Sequence, residues 1–487
     1  MMPGVSVLLL AILSVPIMVQ EADAALYLLD NTTCINNLGG VWDSNSNTCT
    51  LLGSTTFYAG DVLQVPANTA LINYGTFTSS GHIIVDSGGT IDNTEGTIIT
   101  ECVGVCYDSE GREGYIDNYG LINNSNNGKI SHGGDRIKNW EDGVIDNNAG
   151  GEIYIDDQAA LDNNRVGSTI NNVGGTIVVD DGALTSSGFI DNKGGTILIT
   201  NDGELDNSGA SVISNVSGGI ITIENDSICY CDGLIINTNG NIYNHAKFSG
   251  DGQVTNSGGT IINYPGADFE NYNNSQSNMI VNTSGGLIKN SGILQNWSPI
   301  FNTDGATIIN TSTGIIENRF ASGIITNSDP GSTIKNHGTI DNISGTISNI
   351  EGATILNDET GTINNHVNGE MINTSGATME NHGQTINDGT MENSSSGTTL
   401  INSESGVIIN DNSGYINNDS DAEIKNEGVL TNKFANTRID NNSIISNEPG
   451  GSIQNDSGGE INNYDKITNC LGTVSGPIGI NPVTEVC

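Results

Sequence analysis

The feature that most constrains the fold is a triplet of branched aliphatic, any residue and Asn, recurring from about residue 91 to residue 469. It reads Ile334-Lys335-Asn336, Ile340-Asp341-Asn342, Ile347-Ser348-Asn349, Ile355-Leu356-Asn357, Ile363-Asn364-Asn365 and Met371-Ile372-Asn373. From Asn336 the Asn-to-Asn steps are 6, 7, 8, 8 and 8 residues, and Gly-Thr or Gly-Gly-Thr often precedes the triplet. Self-similarity at a short period marks a repeat architecture. Ile, Val and Thr favour extended backbone, Gly and Asn tolerate the left-handed backbone of a sharp corner, and no 3.6-residue period is visible. Each unit is therefore a short strand and a turn. So short a unit cannot bury its own aliphatic side chain, but stacked coils can, each Ile resting on the one above and below.

A longer period sets the number of sides. The segments 153–157, 177–181, 198–202 and 221–226 align, and their final residues Asp157, Asp181, Asp202 and Asp226 are 24, 21 and 24 apart. Three units fill such a coil. The expected fold is all-β, a three-sided parallel β-helix (β-solenoid) of 21–24 residues per coil with capped ends. At a strand spacing of about 4.8 Å, residues 57–469 make about 18 coils and a rod on the order of 90 Å long. The Asn of each triplet, two residues after an inward aliphatic, points inward or sits at the corner. Asn336, Asn342, Asn349, Asn357, Asn365 and Asn373 are expected to form a structural ladder of stacked amides.

The apolar run at residues 5–19 is followed by Ala22-Asp23-Ala24, a small-x-small cleavage pattern. Residues 1–24 read as a secretory signal, which makes the protein secreted and extracellular. No later stretch reaches about 20 apolar residues, so no membrane span is expected in the mature chain. With 56 acidic residues against 14 Lys and Arg, the net charge of −42 repels nucleic acid and attracts divalent cations and basic partners.

The eight cysteines fall in four close pairs: Cys34 with Cys49, Cys102 with Cys106, Cys229 with Cys231, and Cys470 with Cys487. In an exported chain these read as local disulfides, although other partners are open for the crowded Cys229 and Cys231. Residues 25–56 break the repeat and read as an N-terminal cap closed by Cys34 and Cys49. Residues 57–469 are the solenoid, with a looped insertion at 101–114 and a second break at Cys229-Tyr230-Cys231. The tail, 470–487, contains Pro477 and Pro482; proline lacks the N–H a ladder needs, so the tail is expected to fold over the last coil.

The pattern GTIxN with inserted Gly-Gly resembles the asparagine-rich repeat proteins exported by ammonia-oxidising archaea. More broadly it is similar to the right-handed parallel β-helices of filamentous-haemagglutinin-type adhesins and of the pectate-lyase-like superfamily. The run from Cys34-Ile35-Asn36-Asn37-Leu38-Gly39-Gly40-Val41-Trp42-Asp43 through Thr48-Cys49-Thr50 is similar to the disulfide-closed lead-in of such archaeal proteins. The resemblance speaks for architecture and little for function.

Three features could carry chemistry. Carboxylates at Asp157, Asp181, Asp202 and Asp226, stacked one per coil, would repel unless screened, protonated or bridged, and a divalent cation such as Ca²⁺ would take such oxygen ligands. The bland alternative is a row of solvated turn residues, and the calcium-binding nonapeptide is absent. Aromatic or His residues often follow the ladder Asn: Tyr119, Trp140, Tyr264, Tyr272, Trp297, Tyr464, His245, His337, His366 and His382. On a rigid face such rings stack on sugars or simply shield the corner. The fragment His132-Gly133-Gly134-Asp135-Arg136-Ile137-Lys138 is similar to pieces of polygalacturonases, as is Asp156-Asp157, but in that family the paired Asp precedes the His and the Arg-Ile-Lys. The order here is reversed. Sequons at Asn31, Asn215, Asn225, Asn296, Asn310, Asn342 and Asn373 could accept glycans. The expectation is a non-catalytic structural or adhesive element at the cell surface or in the matrix, with no cofactor, whose partners are surface glycans or surface-layer proteins. The alternative is a polysaccharide-binding or polysaccharide-degrading β-helix, a lyase or glycoside hydrolase.

Overall fold

The computed structural model describes residues 25–101, 114–272, 279–456 and 458–485. The proposed signal at 1–24, most of the insertion with Cys102 and Cys106, and Cys487 lie outside the described residues. The chain is a three-sided parallel β-solenoid. Its three long sheets are called I, II and III here. Sheet I has 20 strands, from Leu26–Leu28 to Thr473–Ser475. Sheet II runs from Val41–Asp43 to Gly479–Ile480, and sheet III from Ser54–Phe57 to Thr484–Glu485. One coil is Thr333–Asn336 on III, Thr339–Asn342 on I and Thr346–Asn349 on II. Rungs joined by ladder amides are separated by between 19 and 27 residues, except beside the insertion, where the step from Asn93 to Asn124 is 31.

The strand pattern follows from the two-residue pleat. In Thr354–Asn357 the first and third residues are half-exposed, and Ile355 and Asn357 are buried. The aliphatic columns fill the axis: Ile308, Ile334, Ile355 and Met379 stack in register on sheet III. Each such side chain, with almost no accessible surface, contributes about 1.5–3 kcal/mol by burial.

The second inward position holds the Asn ladders. On sheet II every Nδ2 from Asn73 to Asn441 donates to the Oδ1 of the next coil's Asn, and the column reaches Asn463 without a gap. On sheet III a like column runs from Asn244 to Asn469. On sheet I one column runs from Asn271 to Asn455, and a shorter one from Asn118 to Asn163. Each amide also reaches corner backbone. Asn336 Nδ2 bonds Thr362 O at 3.0 Å and Gly338 O at 3.1 Å. The corner glycines are required by this arrangement: a Cβ on Gly361 would lie 2.3 Å from Asn357 Oδ1 and 2.4 Å from Asn336 O.

The ends are themselves strand-paired. Residues 25–56 build the first coil: Leu26–Leu28 pairs with Val62–Val65, Thr48–Leu51 with Ala70–Asn73, and Ser54–Phe57 with Thr76–Ser79. Cys34 and Cys49 are bridged with Cα atoms 5.6 Å apart and fully buried. Cys49 pairs with Leu71, so the bridge closes the end of that apolar column. The tail also pairs, as Thr473–Ser475, Gly479–Ile480 and Thr484–Glu485 continue the three sheets. Pro477 and Pro482 fall between these strands, where no ladder N–H is needed. The expected break at Cys229-Tyr230-Cys231 is a regular strand, Ile228–Cys231. Its two inward sulfurs take the aliphatic and Asn positions and lie against each other. The 470–487 pairing cannot be followed, since Cys487 is outside the described residues.

Candidate functional site

On sheet III the Asn column starts only at Asn244. Before it the same inward position is held by Phe57, Ser79, Thr100, His132, Ile155, Val179, Ile199 and Ile223 in turn. Without an Asn amide to gather the corner, the coils of Ile155, Val179, Ile199 and Ile223 turn on left-handed acidic residues. Asp157, Asp181, Asp202 and Asp226 have φ of 53°, 54°, 65° and 67°, a conformation Asp tolerates better than most. All four are exposed. The register before the corner pairs Asp180 with Thr200 and sets Asp181 beside Asn201, whereas the register after it pairs Ala183 with Glu204 and sets Asp181 beside Asp202. The coil of Asp202 therefore carries one extra corner residue, Asn201. Asp180 is engaged by the Tyr154 hydroxyl and the Asn201 amide, and that bond, with burial, raises the Tyr154 phenol to about 12. Among the described residues no three His, Cys, Asp or Glu side chains converge to hold a metal. Adding millimolar Ca²⁺ is expected to leave the melting temperature unchanged; a rise would assign these aspartates as cation ligands.

His132 sits in this inward column with no accessible surface. Its Nδ1 meets the Thr100 hydroxyl, its Nε2 has no partner, and burial pushes its pKa down to about 3.

The most developed surface feature is a groove of about 490 Å³ on the outer face of sheet I, lined by His82, Tyr115, Asp117, Asp135, Arg136, Lys138 and Trp140. Register builds it. Tyr115 pairs with His82 and Asp117 with Lys138, so outward positions of three successive coils converge. His82 Nε2 lies 2.9 Å from Asp117 Oδ2, and Trp140 Nε1 also donates to Asp117. Burial alone would raise the Asp117 pKa, but these hydrogen bonds hold the carboxyl below its ordinary range. Burial and the Asp117 charge push the Tyr115 phenol well up. Arg136 reaches Asp162 at 3.3 Å and Asp135 at 3.4 Å. Although burial alone lowers its pKa, these carboxylates raise it. Lys138 Nζ is 5.4 Å from the centres of both the Tyr115 and Trp140 rings. Asp117 is thus locked as an anion and Tyr115 as a phenol, which suits fixed polar recognition better than proton transfer near neutral pH. In the sequence, residues 132–138 resemble only a polygalacturonase fragment. The groove is foreshadowed by Tyr115-x-Asp117 and Arg136-x-Lys138, polar pairs at outward positions of adjacent strands.

The corner rings and imidazoles are distributed as follows. Tyr119 stacks on Trp140 with centroids 5.7 Å apart, and His245 on Tyr264 at 3.8 Å. Tyr272 meets Trp297 at 4.0 Å. His337, His366 and His382 pair with Asp358, Asp341 and Glu380, and Tyr464 is exposed. The sequon expectation needs correction. Asn215, Asn296, Asn310, Asn342 and Asn373 are buried ladder residues whose Nδ2 groups are already bonded. Only Asn31 and Asn225 of that set are exposed.

No protein-family profile matches the chain, and no curated protein matches it. Among solved structures it is similar to a TibC-catalysed, hyper-glycosylated fragment of TibA, at 16% identity and a TM-score of 0.18, over 87% of this chain and 100% of that one. It is also similar to a PL6 family alginate lyase, AlyGC, at 9% identity and a TM-score of 0.26, over 95% of this chain and 100% of that one. A mutant of the same lyase matches at 10% identity and a TM-score of 0.25, over 88% and 81%. Likeness at this level carries no argument about activity. The chain's own strand pairing is what establishes a parallel β-solenoid.

Proposed function

We propose that this chain is a non-catalytic, extracellular rod that serves as a structural or adhesive element at the cell surface or in the matrix. The observation that supports it is the uninterrupted amide column from Asn73 to Asn463, which commits the second inward position along almost the whole of sheet II to holding the rod together. Apolar columns beside it make a stiff spacer whose surface is free for contacts. The strongly acidic exterior favours a salty medium, where self-repulsion is screened. Among the described residues no helix is long and apolar enough to cross a membrane, so retention on a cell would rest on surface contacts made by the described part. Immunolocalisation on intact cells tests the reading: label on the surface or in the matrix is expected, and label confined to the cell interior would overturn it.

A second reading, a polysaccharide-binding or polysaccharide-degrading β-helix, is favoured by the groove at Asp117 and Lys138. Release of reducing or unsaturated ends from a panel of plant, algal and bacterial polysaccharides would convert it to an enzyme. We expect none, since the Asp117 carboxylate is already engaged by His82 and Trp140.

A further inference from the structure

The corner that follows sheet I carries an anomaly. Left-handed corner backbone is occupied throughout the described repeat by Gly, Asn, Asp, Ser, Glu or Gln, with one exception, Phe320 at φ 62°. The other apolar cases, Leu471 and Ile480, belong to the tail. A bulky side chain in this region is strained, and Phe320 is also 58% exposed. Its ring lies 6.0 Å from Trp297 of the previous coil, and Trp297 lies 4.0 Å from Tyr272 of the coil before that. Tyr272 is 47% exposed. Trp297 keeps its Nε1 buried without a hydrogen-bond partner, whereas Trp140, two residues from Lys138, gives its own Nε1 to Asp117. Backbone strain, an orphaned indole donor and two exposed rings therefore coincide on three successive coils. Each is unfavourable for folding, and local costs of this kind collect where a surface binds something.

The geometry points to the occupant. One ring per coil makes a ridge along the rod axis, about 10 Å long at the strand spacing, in which the Trp297 ring lies at 59° to Tyr272 and at 81° to Phe320. It suits a polymer that repeats on the same scale and offers flat C–H faces to aromatic rings, which is the chemistry of pyranose chains. The charge narrows the class. A surface of net charge −42 repels uronate or sulfated chains. We propose that Tyr272 and Phe320, set on either side of Trp297, stack against an uncharged oligosaccharide lying parallel to the rod.

This deepens the adhesive reading and rests on it for its setting, yet binding by the purified protein and location on the cell can fail separately. The test is calorimetric titration of the full chain with uncharged hexasaccharides of the β-glucan, mannan and chitin types, against hexagalacturonate. At least one uncharged hexasaccharide should bind, with hexagalacturonate about tenfold or more weaker. Phe320→Gly relieves the strained backbone. It should melt no lower than the wild type and lose about tenfold or more in affinity, while Phe320→Tyr retains binding. Tyr272→Ala should also weaken binding. The proposal is overturned if no uncharged hexasaccharide binds, if hexagalacturonate binds equally well, or if Phe320→Gly binds like the wild type. It is equally overturned if Phe320→Gly melts lower, since the ring would then be a structural support.

Discussion

Asn336→Leu is expected to lower stability by about 3–5 kcal/mol, whereas Lys335→Ala, one residue away and facing outward, should change it by less than about 0.5 kcal/mol. Asn336 Oδ1 accepts from Asn310 Nδ2 at 2.8 Å, and its Nδ2 donates to Asn357 Oδ1 at 2.8 Å and to Thr362 O at 3.0 Å. Leucine keeps the branched shape, with greater bulk, but removes these bonds and the one to Gly338 O, so that Asn310 Nδ2 loses one acceptor and Asn357 Oδ1, Thr362 O and Gly338 O each lose a donor in a buried corner. Each such orphan costs about 1–3 kcal/mol. Coils touch only their neighbours, so faster amide exchange should be confined to the coils flanking residue 336. A variant that melts within a degree of the wild type would mean that the column contributes geometry and no net energy.

The second large effect concerns acid. His132 is neutral in the fold because burial holds its pKa at about 3, against an ordinary value of 6.5. Below pH 6.5 the unfolded chain takes up a proton that the folded chain refuses. Stability contributed by this site is therefore complete above pH 6.5 and is lost as pH falls toward 3. By pH 4 the loss attributable to His132 is about 3 kcal/mol. His132→Asn, which keeps a neutral side chain able to hydrogen-bond the Thr100 hydroxyl, should match the wild type at pH 7 and be the more stable of the two at pH 4. Denaturant midpoints at the two pH values read the difference. Equal acid sensitivity in both proteins would place the effect in the carboxylates.

Much of this architecture was legible because a single column type recurs. The triplet at Ile334-Lys335-Asn336 states both inward positions of a strand, and its spacing states the corners. What escaped notice lay where the triplet is absent. The first coil lacks the ladder Asn, so nothing in its pattern marks Leu26–Leu28 and Ser54–Phe57 as the regular strands they are. The tail was read as off-ladder from its prolines, yet these fall at corners. The acidic segments drew attention because their strands end in Ile155, Val179, Ile199 and Ile223 where other strands end in Asn, and the one-residue slip after Thr200 is invisible until strands are paired. The groove depends on outward residues, which the repeat leaves unspecified. No periodicity links His82 to Asp117, 35 residues away.

The amide columns also give the rod a direction. Each Nδ2 points toward the later coil, so at the far end the final amides seek acceptors, and the tail supplies them: Asn455 bonds Pro477 O, Asn463 bonds Asn481 O, and Asn469 bonds Gly472 O. Residues 473–481 thus supply the carbonyls for the last amides of sheets I and II. Without them those two columns would end on open donors, and the unpaired edges of the last full coil would be a template for another strand.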